Sequence, residues 1–87
     1  MKYFNFKIVL ILIAVISCYG FAQSDRSTLN KGVDKYEEKK FVDAEVDFKK
    51  VVEKSPKSFE ANFNLGDSYY KQGKYEDAIK SYQGAIE

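Results

Sequence analysis

The sequence predicts an all-α fold of antiparallel helical hairpins packed side by side. Three observations lead to it. The chain beyond residue 22 repeats with a period of 34, apolar side chains recur in each copy at helical spacing, and Gly, Pro and Ser stand where those stripes break. A shift of 34 superposes Asn30 on Asn64, Gly32 on Gly66, Tyr36 on Tyr70, Lys40 on Lys74, Asp43 on Asp77, Ala44 on Ala78 and Glu53 on Glu87. Phe41/Tyr75, Phe48/Tyr82, Val51/Ala85 and Val52/Ile86 match in character. The matches fall on core-type and turn positions, which a chance overlay of two charged helices would not select.

Each copy reads as two helices. Leu29, Val33 and Tyr36 keep the i, i+4, i+7 rhythm of one buried stripe, and Lys39-Lys40 turns the chain. Phe41, Ala44, Phe48, Val51 and Val52 form a second stripe, with Glu45 and Lys49 paired at i, i+4. Pro56 forces Ser55 out of helical geometry, and Ser58 suits the N-cap of the next helix. In the second copy Leu65, Tyr69 and Gln72 share a face, Gly73 supplies a left-handed C-terminal cap, and Tyr75, Ala78, Ile79, Tyr82, Ala85 and Ile86 rebuild the stripe. Gly32, Gly66, Ala44, Ala78 and Ala85 are small enough to let antiparallel helices approach closely. Gly84 within the last helix costs about 1 kcal/mol relative to Ala; it marks either a close helix approach or a fraying end.

The first 22 residues belong to a different class. Lys2 and Lys7 precede the apolar run Ile8–Ile16, and Gly20 and Ala22 stand at the small-residue positions of a secretory cleavage site. A cut after Ala22 would leave Gln23 at the new N-terminus. The same residues permit two other fates. Val15-Ile16-Ser17-Cys18 satisfies a loose lipobox, in which Cys18 would be cleaved and acylated, and Phe4 and Phe6 could extend the run into an uncleaved anchor. Contact with a membrane is expected only through this leader.

Composition excludes several functions. Of 14 basic residues two lie in the leader, so 12 face 13 acidic ones beyond it. A chain so near neutrality has no field to hold a polyphosphate, and nucleic acid is not an expected partner. There is no His, and the one Cys lies in the leader, so no cofactor, metal site, disulfide or His-based catalysis is expected. The acidic stretches Glu37-Glu38 and Asp43/Glu45/Asp47 lie among Lys39, Lys40, Lys49 and Lys50, and are expected on solvated faces rather than as catalytic pairs.

The segment Asn64-Leu65-Gly66-Asp67-Ser68-Tyr69-Tyr70-Lys71-Gln72-Gly73-Lys74-Tyr75-Glu76-Asp77-Ala78-Ile79-Lys80-Ser81-Tyr82 resembles a tetratricopeptide repeat (TPR) at nearly every signature position. The resemblance covers residues 25–87. After the leader over 1–22 (a signal peptide, alternatively an uncleaved anchor), it implies a degenerate first repeat with its linker over 23–58 and a second, incomplete repeat over 59–87. Lys31 and Lys35 stand where the family has Leu and Tyr, and Thr28 and Asn62 replace its usual large aromatic, which is expected to weaken the first repeat's core. The leader, two repeats and the wording Ser55–Gly66 are similar to the exported TPR proteins of bacterial aerotolerance (Bat) operons.

This resemblance implies a non-enzymatic scaffold in the bacterial cell envelope, within a stress-tolerance complex, that binds another protein or peptide. The first helix of each repeat would line the groove, with Arg26, Leu29, Asn30, Val33, Tyr36 and Glu37 from one copy and Glu60, Phe63, Asn64, Asp67, Tyr70 and Lys71 from the other. Tyr36 and Tyr70 serve equally well as core residues. Arg26, Asn30 and Asn64 also occupy three positions of the carboxylate clamp found in some TPR domains, although Asn is common there in any case. The second copy reaches Glu87 without a capping helix, so Ile79 and Ile86 are expected to meet a neighbour. That neighbour would be further repeats of a longer chain, a second copy docking through the C-terminal hairpin, or a partner. A rival reading makes these residues the N-terminal part of an envelope enzyme whose catalytic portion lies beyond residue 87.

Overall fold

A computed structural model describes the backbone of residues 6–87 and the side chains of residues 7–10 and 25–87. Four helices follow in order: α1 (Phe6–Glu37), α2 (Phe41–Lys54), α3 (Phe59–Lys71) and α4 (Tyr75–Ile86). Helices α1 and α2 form one antiparallel hairpin, α3 and α4 a second, and α3 packs across α2 to join them. The all-α hairpin architecture expected from the repeat is the one found. The backbone helix that carries Leu29 and Tyr36 begins at Phe6, so leader and first hairpin share one helix of 32 residues. The leader expectations at Ala22, Gln23 and Cys18 fall on side chains outside the described residues. Among the described residues, no helix is long and apolar enough to cross a membrane.

Both hairpin turns use one device. Lys40 N–H donates to Lys35 O (2.8 Å) and Lys39 N–H to Tyr36 O (3.0 Å), while Lys74 N–H donates to Tyr69 O (2.9 Å) and Gly73 N–H to Tyr70 O (3.0 Å). These paired bonds are a Schellman closure, which requires a left-handed residue. Gly73 supplies it at φ 77°, and Lys39 supplies it at φ 63° against the steric preference of a side chain. Between the hairpins, Ser58 caps α3 by accepting from Ala61 N–H at 3.2 Å.

The core lies where three helices meet. Leu29 from α1, Ala44, Phe48 and Val51 from α2, and Ala61 and Leu65 from α3 form one buried cluster, with Val33, Tyr36, Val52 and Tyr69 against it. Phe48, 1% exposed, lies flat on Gly32, where an added Cβ would sit 2.5 Å from its Cε1. Tyr82 repeats the arrangement on Gly66, with its Cδ1 and Cε1 at 2.6 Å from such a Cβ. Gly84 likewise faces Asn62, whose Oδ1 would lie 3.0 Å from a Cβ there. Of the two roles expected for Gly84, the structure shows close approach.

Three polar residues correct the sequence reading. Asp47 and Glu45 were expected on solvated faces, yet both are buried, Glu45 at 7% exposure. Asp47 has Lys35 Nζ at 2.7 Å, so the lysine that replaces a core Tyr neutralises a buried acid. Glu45 lies between α2 and α3, where it accepts from Gln72 Nε2 at 3.0 Å and pairs with Lys49 (3.0 Å) and Lys74 (3.4 Å). Burial alone would raise its carboxyl. The bonds from Lys49 and Gln72 and the charges of Lys49 and Lys74 outweigh burial and hold it below the ordinary 4.5. Asn62 does more than leave a gap where an aromatic was expected. Its Nδ2 donates to Pro56 O (2.9 Å) and Ser58 O (2.8 Å), pinning the linker to α3.

This packing yields two predictions, the first a pair of substitutions with opposite signs. Gly32→Ala forces a methyl into the fixed ring of Phe48 and should lower unfolding free energy by about 1–2 kcal/mol despite Ala's better helix propensity. Lys39→Gly removes the left-handed strain and should raise it by about 0.5–1 kcal/mol. Urea denaturation of both variants checks the opposite signs. The second prediction concerns acid. Because folded Glu45 titrates below the unfolded chain, its contribution is complete above about pH 4.5 and is lost as pH falls through the lower folded value. Glu45→Gln should therefore flatten the decline in Tm between about pH 5 and pH 3; an unchanged slope would refute the assignment.

Candidate functional site

The stacking of α3 beside α1 sets two helices that begin the hairpins next to each other, and a cleft opens between them. Its volume is about 200 Å³, and Val33, Tyr36 and Glu37 from α1, Phe48 from α2 and Asn64 and Asp67 from α3 line it. The helical period puts Val33, Tyr36 and Glu37 on one face of α1, and Asn64 and Asp67 on the facing side of α3. Five of the twelve residues expected at a binding groove are thus brought together. Phe48 completes the floor; it was read only as a core residue, and its position at the hairpin's contact with α3 is what places its edge there.

The walls are polar above an apolar floor. Asp67 Oδ1 accepts from Tyr82 Oη at 2.5 Å. Burial, followed by that bond and by the Asp67 charge, pushes the Tyr82 phenol well above 10.0, so Tyr82 stays a neutral donor. Tyr36 is raised in the same direction, by burial and then by Asp67. Its ring meets Phe41 edge-on, with centroids 5.2 Å apart, which restrains the Tyr36 side of the cleft. With Glu37 and Asp67 both on the lining, the cleft carries two carboxyl groups and an amide beside apolar surface. Such a lining can bond an extended backbone through Asn64 and attract a basic side chain.

The other seven expected residues lie elsewhere. Leu29, 4% exposed, belongs to the core under α3. Arg26 and Glu60, one repeat apart, pair with each other at 3.1 Å beside a separate hollow of about 160 Å³. Phe63 and Tyr70 turn toward α4, where Phe63 meets Tyr82 at 5.5 Å and Tyr70 meets Tyr75 at 5.4 Å between centroids. Asn30 and Lys71 are exposed. The three clamp positions do not converge: Arg26 faces the hollow and is ion-paired, Asn64 faces the cleft, and Asn30 lines neither. Among the described residues, no group of three or more His, Cys, Asp or Glu is placed to hold a metal ion.

A sequence-family model described as tetratricopeptide repeat matches residues 35–87. That stretch includes α2, α3, α4 and both Schellman turns. No curated protein matches the chain. TPR domains are typically non-catalytic modules of protein–protein interaction. With more than half its length matched, and with the paired hairpins that the family builds, the chain belongs to the tetratricopeptide-repeat family.

Proposed function

We propose that the chain is an exported adaptor of the bacterial cell envelope that holds an extended peptide segment of another protein in the α1–α3 cleft. The observation that carries the binding reading is the cleft's lining: apolar Val33, Tyr36 and Phe48 beside Asn64, Glu37 and Asp67. A segment with an apolar residue next to Lys or Arg fits that chemistry better than a free C-terminal carboxylate, which would meet two acids. Export is supported by the basic start, the apolar run Ile8–Ile16 and the small residues Gly20 and Ala22. The resemblance to aerotolerance-operon proteins supports a role in an envelope stress complex.

Selection of a displayed random-peptide library on the full chain tests the binding reading. Selected peptides should be enriched in apolar–basic pairs. Asn64→Ala should weaken them about three- to tenfold, the cost of one hydrogen bond, and Glu37→Gln should reduce their salt dependence. Peptides indifferent to both changes would place the binding site elsewhere. Export is tested by expressing the full chain in a diderm bacterium and taking the intact mass of the envelope fraction. A product beginning at Gln23 is expected. A chain acylated at Cys18 or one retaining Met1 would replace that reading with lipidation or anchoring.

A further inference from the structure

The hydrogen bond from Tyr82 to Asp67 has no counterpart in the first hairpin. One period of 34 earlier, the same two positions hold Phe48 and Val33. Phe48 lies on Gly32 as Tyr82 lies on Gly66, and it does so without a hydroxyl. The ring alone therefore performs the packing, and the hydroxyl is left with a different task. Acid and hydroxyl are present together in the second copy and absent together from the first, as befits two groups that act on each other.

Asp67 stands on the wall of the cleft, half-buried, whereas Glu37 on the facing helix is exposed. Water screens an exposed charge more than a sheltered one, so Asp67 supplies the larger part of the cleft's attraction for a cation. Its hydrogen-bond partner among the described residues is Tyr82, whose Oη donates to Oδ1 at 2.5 Å, which leaves Oδ2 for a ligand. The donor is itself anchored, because its ring is seated on Gly66. Burial first, and then the bond to Asp67, keeps the phenol protonated, so it donates throughout the neutral range. Tyr82 is not among the residues that line the cleft.

Resting on the reading of the cleft proposed above, we infer that Tyr82 is a positioning residue for charge recognition: from α4 it aims the Asp67 carboxylate at a basic side chain of the bound segment. A bond that merely tied α4 to α3 would support every ligand of the cleft alike. A bond that aims a carboxylate matters only to a ligand carrying positive charge. The two roles therefore separate in the choice between a charged and a neutral ligand of one shape.

The probes are two six-residue peptides, blocked at both ends, in which Ala flanks a Leu-Arg pair or a Leu-citrulline pair. Citrulline keeps the shape of arginine without its charge. Each is titrated onto the full chain and followed by NMR. The unaltered chain should bind the arginine peptide about tenfold more tightly than the citrulline one. Tyr82→Phe, which reproduces the packing of Phe48, should cost the arginine peptide about five- to tenfold and leave the citrulline peptide unchanged. Asp67→Asn, which leaves the ring and its hydroxyl in place, should remove the same preference, and the two changes together should cost no more than Asp67→Asn alone. An arginine preference that survives Tyr82→Phe or Asp67→Asn, or an equal loss for both peptides in Tyr82→Phe, overturns the proposal and leaves the cleft reading standing. An unaltered chain that binds the two peptides equally, or binds neither, overturns the cleft reading and the proposal with it.

Discussion

The distance between helices in each hairpin is set by an aromatic ring lying on a glycine. Phe48 occupies the volume a Cβ would take on Gly32, and Tyr82 does the same on Gly66. With the ring seated there, α2 approaches α1 closely enough for Ala44 to be wholly enclosed and for Phe48 to contribute an edge to the cleft. A β-carbon at either glycine would separate the helices by several tenths of an ångström or tilt the ring, and a packed interior has little slack for either change. The Schellman turns fix the remaining degree of freedom. They reverse the chain in three residues, so that α2 and α4 return along the faces that carry the glycines.

The fold was legible because its signals are local or strictly periodic. Pro56, Ser58 and Gly73 mark breaks by backbone chemistry alone, and the 34-residue overlay aligns the small residues with the rings they accept. The burial of the acids was not legible because it comes from remote partners: beside the local pair with Lys49, Glu45 is met from residues 27 and 29 positions away. A signal was present nonetheless. Copy one departs from copy two at Lys35 for Tyr69 and at Asp47 for Ser81, and the two departures meet as one ion pair. Paired exceptions to a repeat identify contacts in the way that co-varying positions do, with the second copy standing in for a relative.

The binding face divides for a related reason. A repeat pattern assigns the same role to Leu29 and Phe63, yet one is core and the other lies in the open. The difference is in what packs on each: Leu29 lies in the core with residues of α2 and α3, whereas Phe63 touches Phe59 and Tyr82. Position in the array decides exposure, and the pattern of one repeat does not contain it. Lys31 is likewise exposed where its counterpart Leu65 is buried in the core against α2.

Helix α3 consequently serves the cleft on one side and the contact with α4 on the other. It carries Asn64 and Asp67 into the cleft and turns Phe63 and Tyr70 toward Tyr82 and Tyr75 of α4. Tyr82 joins the two, since its hydroxyl donates to Asp67 while its ring touches Phe63. A peptide held in the cleft would order α3 and, through Tyr82, α4. The physical sign of that linkage is slower hydrogen exchange in the amides of both α3 and α4 when the cleft alone is filled.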